Sequence, residues 1–489
     1  MTTKNVIRMK GLFAFALILA AIIMFAMLQS CTDKHESEED ENAIVISKNE
    51  LEDTDKLVVY GYEYLKPLIS QAVNLFKREY REVEVEYREF SFDEKFDFAA
   101  FQEVLKSEML AGGGPDLIIG DAYLFGDIYK TMASGVFLDL DGIIEADPEF
   151  DFDLYNRTVM DSGVYNGRRY LAPLDYAVMP MMAVGERLAE EGIDISEFST
   201  LSGFLGALRR YMANNMEKPG KHISYFPFFE GAMSYLNFSG IQYIDYENQK
   251  ADFSDPKFKE IVDTYKEMVA YANNPAREFS SYYEEHISTT GGYSHDYAMI
   301  VGLRAGQMFY SNRMVARIIE RFYYDYGGLT HDCSPVFAGF PNKDGGTTAV
   351  ATKYAGVRQG SENKKNAYRL LKILLSYDVQ ALQAENAAIY YQINVPVLKS
   401  AAQAAAEFEW SKSGLYGNED GSVIWEPVPK ETHDRFMDII TNVDSCALPA
   451  YGPYDDFILP ALELYFSGEK TYDACINDLK TKLEIYLSE

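Results

Sequence analysis

The chain has 489 residues and a net charge of −30, with 47% hydrophobic and 25% charged residues. That is ordinary globular composition and enough length for two or three domains. So negative a body repels nucleic acid and anionic membrane surfaces, and no Lys/Arg cluster visible in the linear sequence relieves this, which excludes nucleic-acid binding.

In chain order, Lys4, Arg8 and Lys10 precede an uncharged apolar run from Gly11 to Met27. This is the pattern of a secretory signal, with an uncleaved membrane anchor as the alternative at this length. Either reading puts the bulk of the chain outside the cytoplasm. Leu28-Gln29-Ser30-Cys31 resembles the bacterial lipobox, with Gln29 a less usual residue at its place. The resemblance implies residues 1–30 as signal peptide, a diacylglyceryl thioether on Cys31, and an N-terminus held in the membrane by lipid. Loss of Lys4, Arg8 and Lys10 leaves −33 on the mature chain. TDKHESEEDENA follows, too polar to fold by itself, so residues 31–56 read as an acidic tether.

Beyond it, Leu57-Val58-Val59-Tyr60 reads as a buried strand. PLISQAVNLFKREY reads as a helix with Pro67 in its first turn and Leu68, Ile69, Ala72, Val73, Phe76 and Tyr80 on one face. Val83, Val85 and Tyr87 alternate with glutamates as in a half-exposed strand. FAAFQEVLKSEML predicts a helix stopped by Gly112-Gly113-Gly114-Pro115, then come a strand at Leu117-Ile118-Ile119 and a helix over Ala122 to Met132. This alternation predicts a parallel, doubly wound α/β sheet. LSGFLGALRRYM, DPKFKEIVDTYKEMVAYA and KKNAYRLLKILLS carry the 3.6-residue apolar period of helices, the last two with candidate caps Ser254 or Asp255 and Ser361 or Asn363. No linker divides the body, so a chain long enough for two domains is expected to cross between them several times.

GGGPDLIIGDAYLFGDIYKTMASGVFLDLDGII, Gly112 to Ile144, is similar to the extracellular solute-binding proteins of bacterial ABC importers, carbohydrate type. Six further segments match that family in order: YNGRRYLAPLDYAVMPMMAVGERLAEEGID, TLSGFLGALRRYM, FSDPKFKEIVDTYKEM, LRAGQMFYSNR, NKKNAYRLLKILLS and SGEKTYDACINDLKTKLEIYLSE. Two places depart from its pattern, Ala305-Gly306-Gln307-Met308 and Ala183-Val184-Gly185. The resemblance implies a two-lobed periplasmic-binding-protein-like fold (type II), each lobe a sheet flanked by helices and joined by a multi-segment hinge. Lobe one is expected at residues 57–175 and 310–375, lobe two at 176–309 and 376–489. It implies a monomer that delivers a sugar or oligosaccharide to ABC permease subunits, with membrane contact through lipidated Cys31 and no cofactor or metal. The alternatives are a lipid-anchored glycoside hydrolase and a ligand-sensing lipoprotein of the same fold.

Ligands of open α/β sheets sit outside the carboxyl ends of strands. The candidate ligand-binding residues are therefore Tyr62, Glu63 and Tyr64 after the first strand, Asp121 and Tyr123 after the third, and Asp175 and Tyr176 in the first crossing. Tyr310, Asn312 and Arg313 belong to the second crossing, and Trp425 is a candidate stacking platform. Aromatic faces and hydrogen-bonding side chains suit a sugar, whose buried hydroxyls each need a partner. Each has a bland alternative: core packing for the tyrosines, a helix N-cap for Asp121, and a hinge ion pair for Asp175 and Arg313. Trp410 reads as packing. Cys333, Cys446 and Cys475 show no disulfide or zinc spacing, although Cys446 and Cys475 are a conceivable pair. Asp139-Leu140-Asp141-Gly142 reads as a solvated turn and His331-Asp332-Cys333 as a loop. No nucleophile or phosphate-loop motif is present, so catalysis is not expected.

Overall fold

The computed structural model describes residues 56–62, 65–90, 99–224, 231–274, 295–311, 318–382, 394–414 and 425–489. The signal, Cys31 and the expected tether up to residue 55 lie outside them, as do Glu63, Tyr64, Asn312 and Arg313, whereas Lys56, expected as the tether's last residue, begins the first strand. None of the helices among the described residues is long and apolar enough to cross a membrane.

The first part of the chain alternates as its apolar pattern predicts: β1 (Lys56–Tyr62), α1 (Lys66–Glu79), β2 (Glu84–Phe90), α2 (Ala99–Leu110) and β3 (Leu117–Asp121). In α1, Pro67 occupies the first turn, where its missing N–H costs nothing, and Leu68, Ile69, Ala72 and Phe76 are buried. The break after α2 needs left-handed backbone, which Gly112 and Gly114 supply at φ +79° and +97°. The helix expected over Ala122 to Met132 is interrupted. A 3-10 turn, Ala122–Phe125, ends at Gly126, and α3 (Ile128–Ala133) starts afresh under an N-cap from Asp127.

After α3 come β4 (Ala172–Ala177), β5 (Pro180–Val184), α4 (Leu201–Asn215), α5 (Pro256–Ala272) and α6 (Ile318–Thr330). Then follow β6 (Pro335–Gly339), β7 (Thr348–Val357), α7 (Lys364–Leu374), β8 (Val395–Pro396) and α8 (Lys399–Lys412). The chain closes with α9 (Lys430–Thr441), β9 (Ser445–Ala447), α10 (Leu459–Phe466) and α11 (Tyr472–Ser488). Thr200 caps α4 and Asp255, rather than Ser254, caps α5.

The main sheet has the order β8-β4-β7-β3-β1-β2, with β9 beside the start of β7. β1, β2 and β3 are parallel, but β7 runs antiparallel to both β3 and β4. The sheet is therefore mixed. A strand that returns from the other lobe enters at the carboxyl ends of its neighbours and has to run against them.

The second lobe holds an antiparallel β5–β6 ribbon wrapped by helices. Its core is aromatic: Phe322 of α6 stacks on Phe436 of α9 at 3.8 Å and meets Phe337 of β6 edge-on. This moves the expected lobe boundary at residue 310. Tyr310 is wholly buried, edge-on to Phe204, and Ser311 bridges to Met182 on β5, so the chain stays in lobe two through β6. It re-enters the main sheet only between Gly339 and Thr348. The third passage likewise falls after β8, since Pro396 still pairs with Asp175.

Cys446 on β9 and Cys475 on α11 are separate free thiols, as is Cys333, so the conceivable pair is not formed. Burial pushes the Cys446 thiol up to about 12. The turn expected at Asp139–Gly142 is instead the start of a short helix, Asp141–Glu145, with Asp139 just before it accepting from the Asp141 N–H and Asp141 accepting from that of Arg169.

Trp410 stacks on the ring of His433 at 4.5 Å, and the Tyr323 hydroxyl is hydrogen-bonded to His433 Nδ1 at 2.6 Å. Burial pulls His433 below its usual range, although Asp434 and Glu407 act against it and Lys430 adds to the lowering. As pH falls through about 6.5 the unfolded chain takes the proton first, so the stability tied to neutral His433 is present above that pH and fades below it. Urea unfolding at pH 7.5 and 5.5 is expected to show lower stability at 5.5, with a smaller difference in His433→Phe. An unchanged difference in that variant would assign the pH dependence to other groups.

Candidate ligand cleft

β1 and β3 end at Tyr62 and Asp121, and β4, parallel to them, ends at Ala177, where the chain leaves for lobe two. Their carboxyl ends therefore share one edge of the sheet with the crossing segments. Val178 and Met179, which make the first crossing, are buried.

A polar assembly is embedded at this edge. Lys353 on β7 stands in register with Asp121 on one side and Asp175 on the other, and β-bulges flank it on the Asp175 side. Asp175 is fully buried and Lys353 is 7% exposed. The Asp175 carboxylate accepts from Lys353 Nζ at 2.8 Å, Thr352 Oγ1 at 2.5 Å and the Asn394 N–H at 2.8 Å. Asn394 Nδ2 donates in turn to Thr352 Oγ1 at 3.0 Å, and the Tyr354 hydroxyl donates to the Asp121 carbonyl at 2.8 Å. A lysine inside the apolar run TAVATKYAGV is affordable only with such a partner. Bulges commonly re-aim side chains next to functional sites.

Lobe two approaches the same edge through the segment between β9 and α10. The Gly452 N–H donates to the Gly126 carbonyl, just beyond β3, at 2.6 Å. Tyr454 is 5% exposed, and its hydroxyl accepts from the Met233 N–H at 3.1 Å. Tyr454–Ile458 form one π-helical turn, a feature frequent at functional sites, with Asp455 and Asp456 exposed on it. Partial desolvation and the charge of Asp456 push the Asp455 carboxyl up. Next to this contact, Asp127 accepts from the Tyr129 and Lys130 N–H groups and from the Tyr486 hydroxyl of α11 at 2.8 Å. Tyr129 stacks on Tyr246 at 4.5 Å.

The candidate residues fall into three groups. Asp121 and Asp175 are brought together around Lys353, and Asp175 makes an ion pair within lobe one. Tyr62 ends β1 and Tyr123 lies in the turn after β3; their side chains are outside the described residues. Three aromatic candidates lie in the interior instead. Tyr176 donates to the Ile440 carbonyl at 2.7 Å, Tyr310 shares a 2.6 Å hydrogen bond with Tyr235, and Trp425 Nε1 donates to the Tyr324 carbonyl at 2.8 Å. Each is no more than 1% exposed, with its polar atom satisfied inside the protein. Thr352, Lys353, Asn394 and the Tyr451–Asp456 segment were not singled out from sequence. Lys353 had a signal, as a lone cation in an apolar strand. The others are assembled from positions far apart in the chain.

No protein-family model matches the sequence, and no curated protein matches it either. Solved structures do. The sugar-binding protein MalE from Xanthomonas citri superposes with a TM-score of 0.60 at 13% identity, over 88% of this chain and 97% of that one. The fold is that of a periplasmic binding protein. The cyclic alpha-maltosyl-1,6-maltose binding protein from Arthrobacter globiformis shares this binding-protein fold at a TM-score of 0.56, with 16% identity over 88% and 98% of the two chains. An ABC substrate-binding protein from Listeria monocytogenes in complex with cycloalternan gives 0.52, with 12% identity over 89% and 100%.

Proposed function

We propose that this chain is an extracytoplasmic receptor that captures a sugar or oligosaccharide between its two lobes and delivers it to the permease of an ABC importer. It would be held at the membrane by lipid on Cys31. The observation that supports this most is the edge at which β1, β3 and β4 end. There Asp121 and the Asp175–Thr352–Lys353–Asn394 assembly stand on lobe one, and the Gly452–Tyr454 segment of lobe two reaches Gly126. Half-buried Asp121 at the end of β3, with half-buried Tyr451 and exposed Asp455 and Asp456 on the other side, are hydrogen-bonding and aromatic groups of the kind a polyhydroxylated solute requires, and the buried Asp175–Lys353 assembly holds that edge in place. The binding-protein fold supports capture over turnover, and the three solved relatives described above are named for sugar or substrate binding.

Hinge closure on the solute gives a permease two shapes to tell apart. The test is thermal unfolding against panels of oligosaccharides, monosaccharides, peptides and amino acids. A ligand at a hundred times its dissociation constant adds about 2.7 kcal/mol, a rise of a few degrees for a chain this long. One oligosaccharide class is expected to give that rise with no product formed. A response to peptides alone would overturn the sugar assignment, and release of shortened sugars would make the protein a hydrolase.

A further inference from the structure

Two strand segments of the second lobe end toward the first. β5 starts at Pro180, two residues after β4 ends at Ala177, so its first residue is the one nearest lobe one. Ser311 pairs antiparallel with Met182 of β5, exchanging N–H to carbonyl bonds of 2.7 and 2.8 Å. The chain over residues 308–311 therefore runs back toward the crossing. His222 pairs in parallel with Met308, and the Tyr310 N–H donates to the Ile223 carbonyl at 3.2 Å. Residues 222–224 thus run the same way, and Ser224 ends level with Tyr310.

The helix Gly231–Phe238, a few residues farther on, begins against the cleft. Its Met233 N–H donates to the Tyr454 hydroxyl, and Tyr454 belongs to the segment that reaches Gly126 of lobe one. Ser224 is held between the crossing on one side and this wall on the other.

The buried hydroxyls around it have partners. Tyr310 and Tyr235 share their 2.6 Å hydrogen bond, Ser311 Oγ donates to Met299 Sδ at 2.9 Å, and Tyr454 accepts from Met233. Ser224 differs. It is 2% exposed, and among the described residues its Oγ is a buried polar atom with no hydrogen-bond partner. A serine hydroxyl can donate once and accept twice, and an interior hydroxyl left with neither bond destabilises the protein that carries it. Native interiors hold few such groups, and each one calls for a cause.

We propose that Ser224 is a specificity-determining residue of the cleft, its hydroxyl kept for one hydroxyl of the bound sugar. The inference rests on the sugar-receptor reading above. A sugar hydroxyl donates and accepts as serine does, so the two satisfy each other whichever supplies the proton. A solute with no polar group at that place leaves Ser224 unpaired and is rejected, as happens wherever a site is built to hydrogen-bond a substrate hydroxyl. The hydroxyl destabilises the empty protein and strengthens the loaded one.

That combination separates a ligand-reading serine from a structural one. Ser224→Ala removes an unpaired group without removing a bond, so with no sugar present it is expected to melt at the same temperature or higher. Ser413→Ala is the control. Its hydroxyl donates to the Trp410 carbonyl at 2.8 Å and accepts from the Val428 N–H at 2.9 Å, so that variant should melt lower. Maltotriose, cellotriose, xylotriose and mannotriose are then titrated calorimetrically into the three proteins. For a sugar that the unsubstituted protein binds, Ser224→Ala should weaken binding about tenfold, and Ser413→Ala should leave it unchanged. A lower melting temperature for empty Ser224→Ala would show the hydroxyl already bonded, as by a buried water, and would overturn the proposal. Unchanged affinity in Ser224→Ala for a sugar bound by the unsubstituted protein would also overturn it, while leaving the receptor reading intact. Binding of no sugar by the unsubstituted protein would remove the receptor reading itself, and the role of Ser224 with it.

Discussion

Replacing Asp175 by alanine is expected to destabilise the protein by about 3–5 kcal/mol, the usual effect of removing one partner from a buried ion pair. Lys353, 7% exposed, would keep its charge and lose its counter-ion. Thr352 Oγ1 and the Asn394 N–H would lose their acceptor as well, at about 1 kcal/mol each or more when buried. The double variant Asp175→Leu with Lys353→Met should recover most of the loss, because an apolar pair of similar volume replaces a pair that is costly to desolvate. Thermal melts of the three proteins decide it. A melting temperature for Asp175→Ala within a degree of the unsubstituted protein would mean that the pair holds nothing together. Asp175 would then return as a free ligand group.

Replacing Trp425 by alanine is expected to cost a similar 3–5 kcal/mol for a different reason, a large cavity in the second lobe. The indole is 1% exposed and lies against Gly327 and Gly328 of α6, where an added Cβ would come within 3.1 and 2.9 Å of it. That pair of glycines is what lets the ring approach the helix backbone and donate to the Tyr324 carbonyl. The solute-dependent rise in melting temperature should survive in Trp425→Ala, displaced to lower temperature. A variant with unchanged stability but no response to any solute would restore the stacking-platform role.

The local elements were legible because their causes are local. α1 follows from one apolar face and a proline in its first turn, and the break after α2 from glycines at positive φ. The long helix expected from Ala122 failed at Gly126, whose left-handed backbone ends one turn so that Asp127 can cap the next. Position along a strand was enough to mark Asp121 and Asp175 as belonging to one edge. It was not enough to separate cleft from core among the aromatics. Tyr176, Tyr310 and Trp425 are distinguished by what covers them, the α9 backbone, Phe204 with Tyr235, and α6 respectively.

By itself the sequence determined the elements that depend on neighbours a few residues away, the order that makes an α/β binding-protein fold, and the acidic body behind a signal-like leader. Only the tertiary structure decided where the chain crosses between lobes, that β7 runs against its neighbours, and that Lys353 is held by Asp175. The reason is the same in each case. Ion pairs and crossings depend on distances between residues dozens to hundreds of positions apart, and strand pairing sets those distances, not spacing along the chain.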